Sequence, residues 1–208
     1  MSEVPTTKRR RGRPRGGGGD ARERILSAAT TEFAEAGYDA ATIRAIAARA
    51  AVDAALVHHY FGTKADLFAA TMDAPIRPDI AIRTLLDGPV DTLGERIARY
   101  VLESWEEADV RRRGLVLLRS ALSNRVTAPV LAGFLARELL ERIAGQLGRP
   151  DAALRASLVA SQIAGVLVAR YILRLPAMRA ASIDELVAWL APTLQRYLTG
   201  EQPAAVGG

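Results

Sequence analysis

Residues 42–64 hold side chains suited to lying against a polyanionic duplex. Ala54 and Ala55 are small, and small outward residues at a helix start let its backbone approach base edges in a major groove, where their methyls can touch thymine. Leu56 and Val57 are expected to divide between groove and core, while His58, His59 and Tyr60 can donate to flanking phosphates. Thr42 and Arg44 open the preceding helix, where free N–H groups and a guanidinium suit a phosphate; Lys64 does the same at the next helix.

The elements that must position these groups are legible as helical period. Ile25, Leu26, Ala29, Phe33 and Ala36 recur at three- and four-residue spacing, and Gly37 supplies a stop. Thr42 is an N-cap for a second helix carrying Ile43, Ile46, Ala47 and Ala50. Ala51 and Val52 make a tight turn, Asp53 caps a third helix from Ala54 to about Phe61, and Gly62 breaks it. Thr63-Lys64-Ala65-Asp66 has capping-box form and opens a fourth helix, with Pro75 and Pro78 beyond its end. Two short helices joined by a tight turn, with a third behind, are the parts of a helix-turn-helix. Further helical stretches run over 79–86, 91–108, 110–123, 127–147, 151–175 and 183–198, the last capped by Ser182 with Glu185. No strand-period segment or internal repeat is visible. The fold class is all-α.

Charge is unevenly placed. The net +5 matches residues 1–19 alone, with six basic side chains against Glu3, while 20–72 hold five basic and seven acidic residues. Such an arm meets nucleic acid first and membrane surface second, or merely solubilises. Within it, Arg11-Gly12-Arg13-Pro14-Arg15 is similar at its core to the AT-hook. There glycine lets the backbone sit deep in an A·T-rich minor groove and Arg11 and Arg13 reach its floor. Nonspecific phosphate attraction, lost at higher salt, is the equal alternative.

The chain has no cysteine, which excludes thiolate metal sites, Fe–S clusters and disulfides. No secretory signal is visible, and the apolar run 158–175 carries Gln162, Arg170 and Arg174, so it reads as a buried helix of a cytoplasmic protein rather than a membrane span. His58 and His59 are adjacent, hence about 100° apart on a helix, and make no metal face. With no phosphate loop and no nucleophile motif, the expectation is a non-enzyme without cofactor or metal.

In order and spacing, Ile25-Leu26-x-Ala28-Ala29, Phe33, Gly37-Tyr38, Thr42-Ile43-x-x-Ile46-Ala47, Val52, Leu56, Val57, His58, Tyr60, Phe61, Lys64 and Leu67-Phe68 resemble the TetR family of bacterial regulators. The resemblance covers about residues 22–70. It implies a homodimer whose third helix enters the major groove of double-stranded operator DNA, with Thr42, Arg44, Tyr60 and Lys64 on or near phosphates. Two positions depart from the family pattern: Ala51 and Asp53 stand where Gly and Ser are usual. An alanine in left-handed geometry costs on the order of 1 kcal/mol.

The expected organisation is a basic arm (1–19), a three-helix helix-turn-helix domain (20–73), an effector-binding and dimerisation bundle (78–200) and a tail (201–208). The resemblance implies that the last two long helices form a four-helix dimer bundle, and the first is rich in small residues that permit close approach. A small-molecule pocket is expected between the middle helices, with Trp105, Phe134, Tyr100 and Tyr171 as walls and Arg119, Asn124, Ser161 and Gln162 as polar groups; Trp105, Arg119, Phe134 and Gln162 are the ligand-binding expectation. The functional expectation is a sequence-specific repressor released by its effector; the alternative is an architectural DNA-binding protein with neither sequence preference nor effector.

Overall fold

The structure, a computed structural model, describes residues 17–202. Its described elements are all helices. Helix α1 (Gly17–Ala40) leaves helical geometry at Gly37 (φ 79, ψ 173), a left-handed φ that glycine adopts without a Cβ penalty. Beyond that break Tyr38 and Ala41 turn back into the core. Helix α2 (Ile43–Ala50) and helix α3 (Ala54–Phe61) follow, then α4 (Lys64–Thr71). Each start is fixed locally. The Thr42 hydroxyl accepts from the Ala45 N–H at 3.1 Å, the Asp53 carboxylate from the Ala55 N–H at 3.0 Å, and Thr63 and Asp66 complete a reciprocal capping box.

The larger remainder comprises α5 (Pro78–Leu86), α6 (Leu93–Glu106), α7 (Ala108–Ser123), α8 (Thr127–Leu135), α9 (Glu141–Leu147), α10 (Ala152–Leu167), α11 (Pro176–Ala180) and α12 (Ile183–Thr199). Pro78 and Pro176 both sit in a first helical turn, where a missing N–H costs nothing. Pro176 starts α11. Two π-helical turns interrupt the long helices: Ala136–Leu140 joins α8 to α9, and Val168–Ile172 extends α10. A π-turn inserts a residue and rotates the face that follows.

Two apolar cores result. The first gathers Ile25, Phe33, Tyr38, Ile46, Val57 and Phe68 from α1–α4, and α7 and α8 enter it through Leu117, Val130, Leu131 and Phe134. Phe68 and Phe134 lie 4.6 Å apart, and Tyr38 meets both rings edge-on at 5.1 and 5.3 Å. The second core is built by α5, α6, α9, α10 and α12 around Ile97, Leu102, Ala156, Leu190 and Leu194. Here α6 and α12 approach backbone to backbone. A Cβ on Gly94 would stand 2.7 Å from the Gln195 nitrogen and 2.8 Å from the Ala191 carbonyl oxygen. The Gly94 N–H donates to the Gln195 side-chain oxygen at 2.9 Å, and the Gln195 amide donates to the Val90 carbonyl at 3.0 Å. Buried Arg155 holds the end of α12 by donating to the Tyr197 and Gly200 carbonyls, with Asp151 neutralising it at 2.7 Å.

Helix α10 corrects one expectation. With its π-turn it spans Ala152–Ile172 and is long and apolar enough to cross a membrane, yet only 33% of that window is buried. The polar and charged residues of the run had it read as a buried helix. Instead Leu154 is 61% exposed and Leu158 37%, and on α12 Trp189 is 82% exposed.

Candidate functional site

The turn between α2 and α3 is as tight as its spacing demands. Ala51 lies in the left-handed region (φ 52, ψ 49), and its N–H reaches back to the Ala48 carbonyl at 3.2 Å. The Val52 N–H bonds the Ala47 carbonyl at 3.0 Å, closing the end of α2. Asp53, the second unusual residue, spends one oxygen on its cap.

Helix α3 sorts its side chains by face. Val57 (1% exposed) and Phe61 are buried; Ala54 and Tyr60 are half-buried and pack on the first core. Ala55, His58 and His59 are exposed, and Leu56 is half-exposed at their edge. Ala54 is thereby turned further inward than its pairing with Ala55 suggests, since adjacent helical residues diverge by about 100°. The His58 ring nitrogen Nδ1 bonds the Gly62 carbonyl oxygen at 2.8 Å, and His59 meets Tyr60 ring edge to face at 5.4 Å.

Around this face, Thr42 and Arg44 are exposed at the head of α2, and Arg44 has no ion pair among the described residues. Arg49, by contrast, is held by Glu35 at 2.5 Å and Glu32 at 3.2 Å, binding α2 to α1. Lys64 is placed differently from its expected phosphate-facing role. Its ammonium donates to the Asp39 carbonyl at 3.1 Å and lies 4.6 Å over the Tyr38 ring, and desolvation lowers its pKa. Arg11 and Arg13 lie outside the described residues.

Behind the reading head, a cavity of about 270 Å³ opens between α5–α8, α9 and α10. Among the four residues expected to bind ligand, Trp105 lines it. Phe134, Arg119 and Gln162 do not: Phe134 is wholly buried against Phe68 and Tyr38, Arg119 is exposed, and Gln162 lies half-buried beside the lining residue Ile163. Tyr100 is in the wall, whereas Tyr171 stacks on Trp105 at 5.2 Å without lining the cavity. The Asn124 side chain accepts from the Val126 and Thr127 N–H groups, and the Ser161 hydroxyl donates to the Leu158 carbonyl, so both serve local structure. Missed at the sequence level were Gly114 and the leucines of α8 and its π-turn. A Cβ on Gly114 would fall 2.8 Å from the Trp105 ring, so glycine is what lets the indole lie flat against α7.

The wall and the reading head share α8. Leu131 and Leu135 line the cavity, and Phe134 on the same helix packs into the aromatic cluster with Phe68 and Tyr38. Just beyond, the Tyr38 hydroxyl donates to Glu138 at 2.7 Å. Burial first, then Glu138, push the Tyr38 pKa far above its ordinary range, so the bond keeps its proton. Helix α4 ends at Thr71; only the loop after it, through Pro75 and Ile76, reaches the cavity.

These features define a helix-turn-helix fold backed by a helical bundle with an apolar chamber. Residues 25–71 match the family model for bacterial regulatory proteins of the tetR family, and residues 91–198 match the tetracyclin repressor-like C-terminal domain. The chain belongs to the TetR family of transcriptional regulators. A TetR-family regulator from Streptomyces coelicolor A3 is 36% identical over 90% of this chain and 99% of that one, with a TM-score of 0.50. An HTH-type transcriptional repressor of Mycobacterium tuberculosis is 35% identical over 95 residues, 43% of this chain, and an HTH-type transcriptional regulator of Mycobacterium bovis matches equally. The match spans about half (50%) of those two relatives' lengths.

Proposed function

We propose that this regulator is a homodimeric, cytoplasmic repressor that binds double-stranded operator DNA through α3 and is released when a small molecule enters the cavity. The observation that carries this reading is the double duty of α8, with cavity wall on one face and Phe134 against Phe68 and Tyr38 on the other. A ligand that prefers one setting of α8 shifts operator affinity by its differential affinity for the two settings. The DNA-facing set is Ala55, Leu56, His58 and His59 on α3, with Ala54 and Tyr60 at its inner edge and Thr42, Arg44 and Lys64 on flanking phosphates. Lys64 would leave the Asp39 carbonyl to reach one. Arg11 and Arg13 would follow the adjacent minor groove.

Dimerisation uses α10 and α12, and the exposed Leu154, Leu158 and Trp189 support it, because large apolar side chains left open on those two helices favour a partner. Two heads then read a two-fold site. The working division is 20–73 for reading and 78–200 for effector and partner. We assign no catalytic role.

The test is selection of bound genomic fragments, followed by competition with nonspecific duplex at physiological salt. A repressor retains a specificity ratio of roughly a thousandfold or more. A ratio near unity would replace this reading with the architectural one. Compounds that release the selected fragment then identify the effector.

A further inference from the structure

The cavity's lining is selective in its chemistry. Its walls are aliphatic, supplied by residues such as Leu131, Leu135, Leu139, Ile143, Ile163 and Leu167, and among the described residues no charged side chain lines it. Three lining side chains carry a polar atom: Tyr100, Ser104 and Trp105. The Ser104 hydroxyl already donates to the Tyr100 carbonyl at 2.7 Å. The charged groups beyond the Trp105 end are committed elsewhere. Arg170 bonds Glu106 at 3.3 Å and also donates to the Met178 and Ala181 carbonyls, Tyr171 donates to Glu106 at 3.0 Å, and Arg111 donates to the Trp105 and Glu106 carbonyls. At the Tyr100 end burial, then the nearby Asp79, raise the Tyr100 pKa, and Asp79 is itself paired with Arg83 at 3.0 Å.

An ion entering this chamber would lose its hydration and find no free counter-charge, a cost of several kcal/mol for any ion so placed. A neutral apolar molecule gains the burial of its whole surface. An apolar cavity of about 150 Å³ accommodates benzene, so about 270 Å³ suits a molecule of roughly ten to fifteen non-hydrogen atoms. Two π-turns border the chamber and give it shape: Leu139 and Leu140 come from the first, and Leu167 stands at the start of the second.

We propose that the ligand of this cavity is an uncharged, hydrocarbon-like molecule carrying at most one or two hydrogen-bonding groups, with Trp105 seated on Gly114 setting its size limit. This rests on the reading of the cavity as the effector site. Ionised acids, amines and phosphates are excluded by desolvation rather than by shape. The polar end of the ligand meets the Tyr100 hydroxyl or the Trp105 indole N–H, and its apolar body lies along α8 and α10.

The experiment uses the full chain and 1-naphthylamine, a neutral fluorophore within that size whose emission shifts in apolar sites, displaced by 1-decanol, decanoate or decylammonium at pH 8. Decanol is expected to displace it on the order of a hundredfold more effectively than either ion. Gly114→Ala should weaken decanol roughly tenfold by driving the indole into the chamber, and Gly114→Ala with Trp105→Phe should recover most of that loss. Decanoate or decylammonium displacing as well as decanol would overturn the proposed class while leaving the cavity a ligand site. Displacement unchanged by Gly114→Ala in a protein of native circular dichroism would overturn the assignment to this chamber. Absence of probe binding to the folded chain would overturn both this proposal and the effector reading beneath it. Decanol binding that leaves operator affinity unchanged would support the ligand class and overturn the effector role.

Discussion

Replacing Ala51 by glycine should stabilise the protein, against the usual sense of an alanine-to-glycine change. Ala51 is exposed, so its methyl buries nothing of consequence, and its backbone sits at φ 52, ψ 49. There the Cβ crowds the following carbonyl at a cost of about 1–2 kcal/mol. Glycine removes that strain but adds about 0.5–1 kcal/mol of chain entropy to the unfolded state. The difference favours the variant by about 0.5–1 kcal/mol. With a urea m-value of about 2–3 kcal/mol/M, the midpoint should rise by about 0.2–0.4 M without a change in m. Circular dichroism at a fixed protein concentration is the assay, because unfolding of the proposed dimer would depend on concentration. Ala51→Val, which adds branching at the same φ, should lower the midpoint. A glycine variant that unfolds earlier by the ordinary penalty would show that the turn does not use left-handed geometry at Ala51.

Four further outcomes are expected. Gly94→Ala sets a methyl against the α12 backbone, and thermal melts should show a loss of about 1–3 kcal/mol. Asp53→Asn keeps an oxygen for the Ala55 N–H and removes a negative charge from the turn proposed to face DNA, so fluorescence anisotropy should show severalfold tighter operator binding at little cost in stability. Trp189→Glu places a charge on the most exposed large apolar residue of α12, and sedimentation should show dissociation to monomers with weakened operator binding. Tyr38 has a raised pKa in the folded chain, so its contribution is complete below the ordinary tyrosine value of 10.0 and is lost as pH rises beyond it. Tyr38→Phe should lower stability at neutral pH by about 1 kcal/mol and flatten the fall above pH 10; an unchanged alkaline slope would remove Tyr38 from that transition.

What the sequence revealed was mostly local. Thr42, Asp53, Thr63 and Ser182 each cap the helix they were expected to cap, because a cap depends on three or four consecutive residues. The breaks at Gly37 and Gly62 were legible for the same reason. The cavity was not. Helix α8 is apolar on more than one side, so periodicity could not tell that Phe134 faces the reading head while Leu131 and Leu135 face the chamber. The π-turn then rotates the face again, a shift that a 3.6-residue pattern does not encode. Polar residues within apolar stretches were read as ligand contacts, yet Arg119 is exposed and Ser161 satisfies a backbone carbonyl. Lys64 shows the limit for charge: a basic residue at a helix start suits phosphate, but its resting partner, the Asp39 carbonyl, lies 25 positions back.

The contact at Gly94 has a mechanical consequence. Two backbones that touch, cross-linked by one glutamine amide, leave no side-chain layer to compress, so α6, which lines the chamber, is stiffened from behind by α12. Another wall, α8, ends in a π-turn and leans through Phe134 on two aromatic rings, Tyr38 and Phe68. In the proposed mechanism a guest that swells the chamber meets resistance at α6 and can move α8 toward the rings beneath the helix-turn-helix.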